Sequence, residues 1–523
     1  MKKQLFYLAA IMLYSCNSKN QSTDFIKTEQ IPTSEEVGAK MLVEDILPVK
    51  APFETIKFEK PIFKKDTLNL FLEEDHINTR TIQNSINEFS KSGGGTVIIP
   101  KGNWLTGRII LKDNINLHFE DSATLRFSGE IEDFLPVVFT RIEGIEVISL
   151  GACIYANGAK NIAITGKGKL VGPAEGSIRN KILTKDVIDN VIDLATPVEE
   201  RIVDGNTTPW IFPPMFISPI NCEKVYIEDI SLENTAFWNI VPIYCNNVII
   251  RGITVNSVGI PRGDGIDIES SKNVLIEYST LSCGDDCFTM KAGRGLDGLR
   301  VNKSTENVVV RYCLAKEGHG GITCGSETAG MIRNLYVHDC VFENVGVGIR
   351  YKTRRPRGGG GENLNYERLR MNLRYTAIKW DMLGSKGSVG ELAERLPARE
   401  INELTPRYRN ISIKNTIIEN SAHFLKIIGI PESPVTQLFI ENVNVHSTNF
   451  LKVQDLANST FKNIELNGND SILEFTDARN ILLENINFQT NAADIQLKID
   501  GNFSDSIQIK SSSKIKDSIY LKP

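Results

Sequence analysis

Asn247-Val248-Ile249-Ile250, Asn273-Val274-Leu275-Ile276 and Asn307-Val308-Val309-Val310 are three copies of one phrase: an asparagine, then alternating apolar positions. Upstream the phrase appears as Asn161-Ile162-Ala163-Ile164 and Lys224-Val225-Tyr226-Ile227. Downstream it returns as Asn334-Leu335-Tyr336-Val337, Asn410-Ile411-Ser412-Ile413, Gln437-Leu438-Phe439-Ile440 and Asn480-Ile481-Leu482-Leu483. Most steps are roughly 20–30 residues, the spacing of a solenoid. Within each copy the period is two, so each is a short strand with one buried face. Strands of one direction at such steps, with no helical period between them, stack into an all-β right-handed parallel β-helix. Asparagines at equivalent turns can then ladder their amides along the stack.

A solenoid must close its first coil against water. Ile82, Ile86 and Phe89 fall at helical spacing, with Asn78 placed to cap the start and Gly93 to end the helix. This is the expected N-terminal capping helix, and Thr96-Val97-Ile98-Ile99 opens the coils after it. From Asn334 to Asn410 there is room for about three coils. Residues 354–361 and 385–406 are too polar and Gly-rich to be coil throughout, so a side loop is expected around 353–406, with a short helix near 389–396.

The 523 residues are 41% hydrophobic and 24% charged, which fits a folded chain. With 59 basic and 64 acidic side chains the net charge is −5, against a general nucleic-acid binder. Lys2 and Lys3 before an apolar run from Leu5 to Leu13 read as an export signal too short to span a bilayer. Leu13-Tyr14-Ser15-Cys16 then resembles a lipobox, with Cys16 as the lipidated residue. The expected organisation is a lipoprotein-type signal peptide at 1–16 and a tether and N-terminal extension at 17–65, flexible to about residue 35. A parallel β-helix catalytic domain follows at 66–523. The chain is expected to be an exported bacterial lipoprotein, periplasmic or at the outer membrane or cell surface, monomeric and touching membrane only through its anchor. Eight further cysteines, from Cys153 to Cys340, lie at coil-like intervals rather than in zinc-type pairs and read as small buried hydrophobes. Whether Cys283 and Cys287 are bonded stays open.

Charge is densest between residues 262 and 352. Aligning Ile266 and Ile268 with Phe288 and Met290 puts Asp264 and Asp286 in one column, with Asp285 one step before it. Placing Ile322 and Cys324 beneath puts His319 in the column of Asp285. Coils lie about 4.8 Å apart, so three carboxyls and an imidazole converge. Like charges at that range push at least one pKa up, giving an acid beside a base. Glycosidic hydrolysis needs that division. A lone Asp-Asp turn is ordinarily a solvated turn; the column and His319 argue otherwise.

Gly263-Asp264-Gly265-Ile266-Asp267, Gly284-Asp285-Asp286-Cys287, Gly318-His319-Gly320 and Arg350-Tyr351-Lys352 occur in that order. They resemble the four signatures of the polygalacturonase family, glycoside hydrolase family 28, and the resemblance runs from about Thr79 to the last coils. It implies inverting hydrolysis of α-linked galacturonate in pectin. Asp285 would be the general acid, Asp264 and Asp286 the carboxylates that activate water, and His319 the partner of the acid. Arg350 and Lys352 would bind a uronate carboxylate, with Tyr351 between them and Arg354 in the following basic run counted as further substrate contacts. No cofactor or metal is required. One departure matters: the first signature usually reads Asn-Thr-Asp, and here Arg262-Gly263 precedes Asp264, which leaves rhamnogalacturonan or another uronate glycan open as substrate. The rivals are a polysaccharide lyase, which abstracts a proton with calcium and a basic residue, and a non-catalytic glycan-binding β-helix. Exo action would follow if a loop blocks one end of the cleft, and residues 354–361 are the candidate barrier. Trp210, Trp238 and Trp380 are equally placed for sugar stacking or for packing.

Overall fold

The computed structural model describes residues 31–180, 194–205 and 211–521. The expected signal peptide, with Cys16, and Trp210 lie outside these. The described chain is the expected right-handed parallel β-helix. Each full coil carries three short strands, and equivalent strands of successive coils pair in parallel register. The repeated phrase forms one sheet, in which Val225, Val248, Val274, Val308 and Leu335 stand one above another, all buried. At its start the asparagines ladder: Asn307 Nδ2 donates to Asn273 Oδ1 at 3.2 Å, Asn334 to Asn307 at 2.9 Å, Asn363 to Asn334 at 3.1 Å and Asn410 to Asn363 at 2.7 Å. These five have φ between 53° and 57°, the left-handed region that asparagine tolerates better than most residues. The turn therefore selects the side chain, and the side chain ties the turns together.

A second sheet matters for function. Its inward row is Ile154, Ile217, Ile240, Ile266, Phe288, Ile322, Ile349, Ile378 and Leu425. One residue further on, the outward row includes Tyr155, Ser218, Asp267, Thr289, Thr323, Arg350, Lys379 and Lys426.

Helix Thr79–Lys91 plugs the first coil with Ile82 and Ile86, and Phe89 packs beside them. Asn78 stands at the helix start but makes no capping bond. Its Nδ2 donates instead to the carbonyls of Glu73 and His76, pinning the preceding turn. The tether expected to about residue 35 is docked from Ile31 onward, because arginines projecting from the coils bind its carbonyls. Arg370 holds Ile31 and Pro32, Arg251 holds Val43 and Glu44, and Arg311 holds Leu47 and Pro48. Phe58 then covers an outward apolar stripe of Tyr226, Ile249, Leu275, Val309 and Tyr336.

The side loop expected over 353–406 is corrected to two excursions, 353–359 and 382–406, with strand Gly360–Asp381 between them. That strand is part of a full coil, so two coils rather than three fill the interval from Asn334 to Asn410. Its inward residues Leu364, Tyr366, Leu369, Met371, Ile378 and Trp380 are buried, while outward Glu362, Arg368, Arg370 and Arg374 give the segment its polar look. The short helix falls at Lys386–Val389, followed by a 3₁₀ turn at Gly390–Ala393.

Candidate active site

Ile266 pairs with Phe288 and Phe288 with Ile322, so Asp264 stands over Asp286, and Asp285 shares a row with His319. His319 Nδ1 lies 3.0 Å from Asp285 Oδ1. Asp286 is fully buried and accepts from Arg350 at 2.8 Å and Lys352 at 2.7 Å. Gly320, on the coil between them, makes room for this: a Cβ there would sit 2.5 Å from Asp286 Oδ1. All four motifs therefore meet at one place.

The carboxyls differ in charge state. Burial opposes ionisation of Asp286, but Arg350 and Lys352 outweigh it and hold the carboxyl far below its usual range. Asp264 goes the other way: burial, then the charges of Asp267 and Asp285, push it well above. Burial raises Asp267 to about 7 despite Lys291. The hydrogen bond to Asp285 raises His319, so the imidazole keeps its proton further into the neutral range. The Asp285 and His319 side chains are 28% and 61% exposed, whereas Asp264 and Asp286 lie behind them. The open face of the column is thus the hydrogen-bonded Asp285–His319 pair, in front of two buried carboxyls pushed in opposite directions.

Beneath Asp264 lies a buried ion cluster that sequence reading missed. Lys291 Nζ is 3.7 Å from Asp264, 3.5 Å from Asp267 and 3.3 Å from Glu327, and it stands 4.4 Å over the Trp238 ring. Burial opposes the charge on Lys291, but Glu327 and the two aspartates keep it strongly cationic. A lysine at a strand end is ordinarily solvated, so its type and spacing carried no signal. Tyr375 was also missed. It stands three residues before Ile378, as Asp285 stands before Phe288 and His319 before Ile322, and it is 61% exposed. Arg374 beside it donates to Gly318 O at 2.7 Å. An exposed ring in the row of His319 offers a flat face to a sugar.

Two expected substrate contacts need revision. Tyr351 points into the core, wholly buried and stacked on Trp380 at 4.0 Å, because strand alternation sends Arg350 and Lys352 outward and the residue between them inward. It cannot touch a substrate. Arg354 lies past the strand end, half-buried against Gly384 of the second excursion. Its neighbours fasten the wall: Arg355 binds Glu432 at 2.6 Å and the Glu394 carbonyl at 3.1 Å, and Arg357 lies 3.7 Å from Glu327. The start of the 354–361 segment is therefore fastened to residues 327, 394 and 432. Trp238 and Trp380 are both buried. Cys283 and Cys287 are buried free thiols, as are the other six.

Comparison with known proteins agrees with this geometry. Residues 205–382 match the family described as Glycosyl hydrolases family 28. The chain is 27% identical over 391 residues to a probable polygalacturonase of Vitis vinifera, covering 71% of each. It is 23% identical over 442 residues to an exo-poly-alpha-D-galacturonosidase of Dickeya chrysanthemi, covering 78% of this chain and 72% of that one. Among solved structures, a hyperthermoactive exopolygalacturonase from Thermotoga maritima superposes with a TM-score of 0.70 at 29% identity, over 78% of this chain and 94% of that one. A family 28 exopolygalacturonase from Yersinia enterocolitica shares the fold, with a TM-score of 0.60 at 18% identity over 88% and 79%. The column of acids on a matching solenoid thus has its kin, and the match over residues 205–382 likens this chain to glycoside hydrolase family 28.

Proposed function

We propose that the protein is an exported, exo-acting hydrolase of α-linked galacturonate in pectin-type polysaccharide, working with inversion. The carrying observation is the Asp285–His319 pair facing solvent in front of Asp264 and Asp286, with Arg350 and Lys352 beside them. Asp285 hands a proton to the leaving oxygen. Asp286, ionised, takes one from water arriving on the other side, which Asp264 on the neighbouring coil helps to position; inverting pairs stand about 6.5–9.5 Å apart to admit that water. Arg350 and Lys352 each keep about a quarter of their surface exposed while holding Asp286, so a substrate carboxylate can share them. Further along the axis, Lys379, Lys426 and Lys452 continue the row of Arg350, a file of cations suited to a polyanion. The exo-acting relatives support release from chain ends.

Defined galacturonate oligosaccharides, with product length and anomer followed by NMR, test this. Galacturonate appearing first as the β anomer is expected. Unsaturated products absorbing in the near ultraviolet would sink the reading in favour of a lyase. One observation favours a second substrate, another uronate glycan: Arg262 replaces the asparagine of the first signature, so rhamnogalacturonan fragments belong in the same panel. For export, the lysine-flanked apolar run and Cys16 support lipidation; loss of detergent-phase partitioning in Cys16→Ser is the expected result.

A further inference from the structure

A hairpin from a distant coil ends on the catalytic column. Val138–Ile142 and Ile145–Ser149 pair antiparallel around Glu143 and Gly144, whose φ values of 44° and 81° are those of a two-residue type I′ turn. Its apolar side, Ile142, Ile145 and Val147, packs on the outward residues Tyr155, Trp238, Val241 and Ile243 of the preceding coils. The tip reaches past them. Glu143 Oε1 lies 3.1 Å from Arg262 Nε on one bank, and Oε2 lies 3.7 Å from Arg294 on the other. Gly144 O accepts from Arg294 N at 3.1 Å. Behind the tip, buried Arg141 pairs with Glu269 at 3.0 Å, and Glu146 N donates to Asp297 at 3.0 Å. The hairpin thus straps the groove from bank to bank over the coil of Asp264. Asp267 and Glu269 are wholly buried there, while Arg350 and Lys352, farther along the same outward face, are partly open.

We propose that this tip is the stop that admits substrate only by its end, and that Arg262, clamped by Glu143, is the specificity-determining residue that holds the stop closed. A polymer lying along the coil axis over Tyr375 and His319 meets the tip immediately beyond the column, so little more than a terminal sugar fits between them. This accounts for the departure at Arg262: the side chain serves the strap, which an asparagine is too short to reach. The inference rests on the column being the hydrolytic site, and it places the end barrier on the hairpin instead of residues 354–361.

The experiment compares the wild type with Arg262→Ala, Arg262→Lys and Glu143→Ala on whichever polyuronate the wild type cleaves. Viscosity and new reducing ends are followed together, with product lengths. The wild type is expected to release short products with little viscosity loss per bond cut. The two alanine variants should lose viscosity several-fold faster per bond and yield mixed lengths, while Arg262→Lys keeps the wild-type pattern. Folded alanine variants that keep the wild-type pattern would overturn the proposal, as would a wild type that cuts internally. Should Glu143→Ala fail to fold, because Arg262 loses the carboxylate it pairs with, Arg262→Gln gives the same reading. A wild type that trims a different uronate polymer from its end would cost the galacturonate assignment and leave the stop standing.

Discussion

The outward face of the catalytic sheet has two halves built on one register. Under the hairpin it is Tyr155, Trp238, Val241 and Ile243, an apolar surface that exists to be covered. Beyond it the same face carries Asp264, Asp267, Glu269, Asp286, Lys291, Arg350 and Lys352. Inward residues barely change across the boundary, remaining isoleucine, phenylalanine or similar throughout. The core therefore sets where coils lie, and chemistry begins where the outward row turns from apolar to ionisable. The hairpin seals that boundary, which is why acids nearest it are buried and perturbed while Asp285 and His319 are open.

Breaking the open half at its proton donor should give the largest effect. Asp285→Asn is expected to cut turnover on a galacturonate oligosaccharide by about 10²–10⁴-fold, the usual contribution of a positioned acid, with an unchanged melting curve. Activity within a few-fold of wild type would remove Asp285 from its role. Next comes the boundary itself. Lys291→Met leaves Asp264, Asp267 and Glu327 without their shared buried cation, and breaking such a set costs about 3–5 kcal/mol. Urea unfolding measures it. A loss as small as that of an exposed lysine would show that the cluster is not held by charge.

Those two residues also mark the limit of what sequence alone conveys. The repeat was legible because period-two alternation and asparagine turns are local, and the register of Ile266 on Phe288 followed, taking Asp264, Asp285, Asp286 and His319 with it. The coil at Asn363 was not, since Glu362, Arg368 and Arg370 face outward on it and mask the inward row of Leu364, Tyr366 and Leu369. Tyr351 was misread by taking a motif as a block when alternation splits it. Lys291 and Glu143 were invisible for another reason: Lys291 meets Asp264, Asp267 and Glu327 from other coils, and Glu143 rides a hairpin whose tip lands on Arg262 and Arg294, more than one hundred residues away in sequence; no local pattern states where a tip lands.

A smaller effect should appear in the pH dependence of stability. Burial raises Asp267 to about 7 in the folded chain, whereas an unfolded aspartate titrates near about 3.9. Between those values the folded chain keeps a proton that the unfolded chain has released, so stability falls as pH climbs, by about 1 kcal/mol per unit for this group. Asp267→Asn should flatten that slope between pH 5 and pH 7 in urea titrations. An unchanged slope would mean that Lys291 holds Asp267 ionised throughout.

The smallest effect concerns the far end of the open half, where the row of Arg350 continues through Lys379, Lys426 and Lys452 before Glu474 reverses the sign. Lys379 lies 3.5 Å from Asp381, and Lys452 lies 3.5 Å from Glu474, so those two have partners already and offer a polyanion only part of their charge. Exposed ion pairs are worth about 0.2–1 kcal/mol apiece, so replacing all three lysines by glutamine should raise KM for a long polyuronate several-fold. The shortest cleaved oligosaccharide, which ends before the file, should keep its KM and kcat. Salt separates this from a general loss of affinity: the wild-type KM on the polymer should rise with ionic strength more steeply than the variant's, because screening acts on charges that the variant lacks. Equal salt slopes would mean that the polymer leaves the sheet soon after Lys352, and that the open half reads its substrate only at the column.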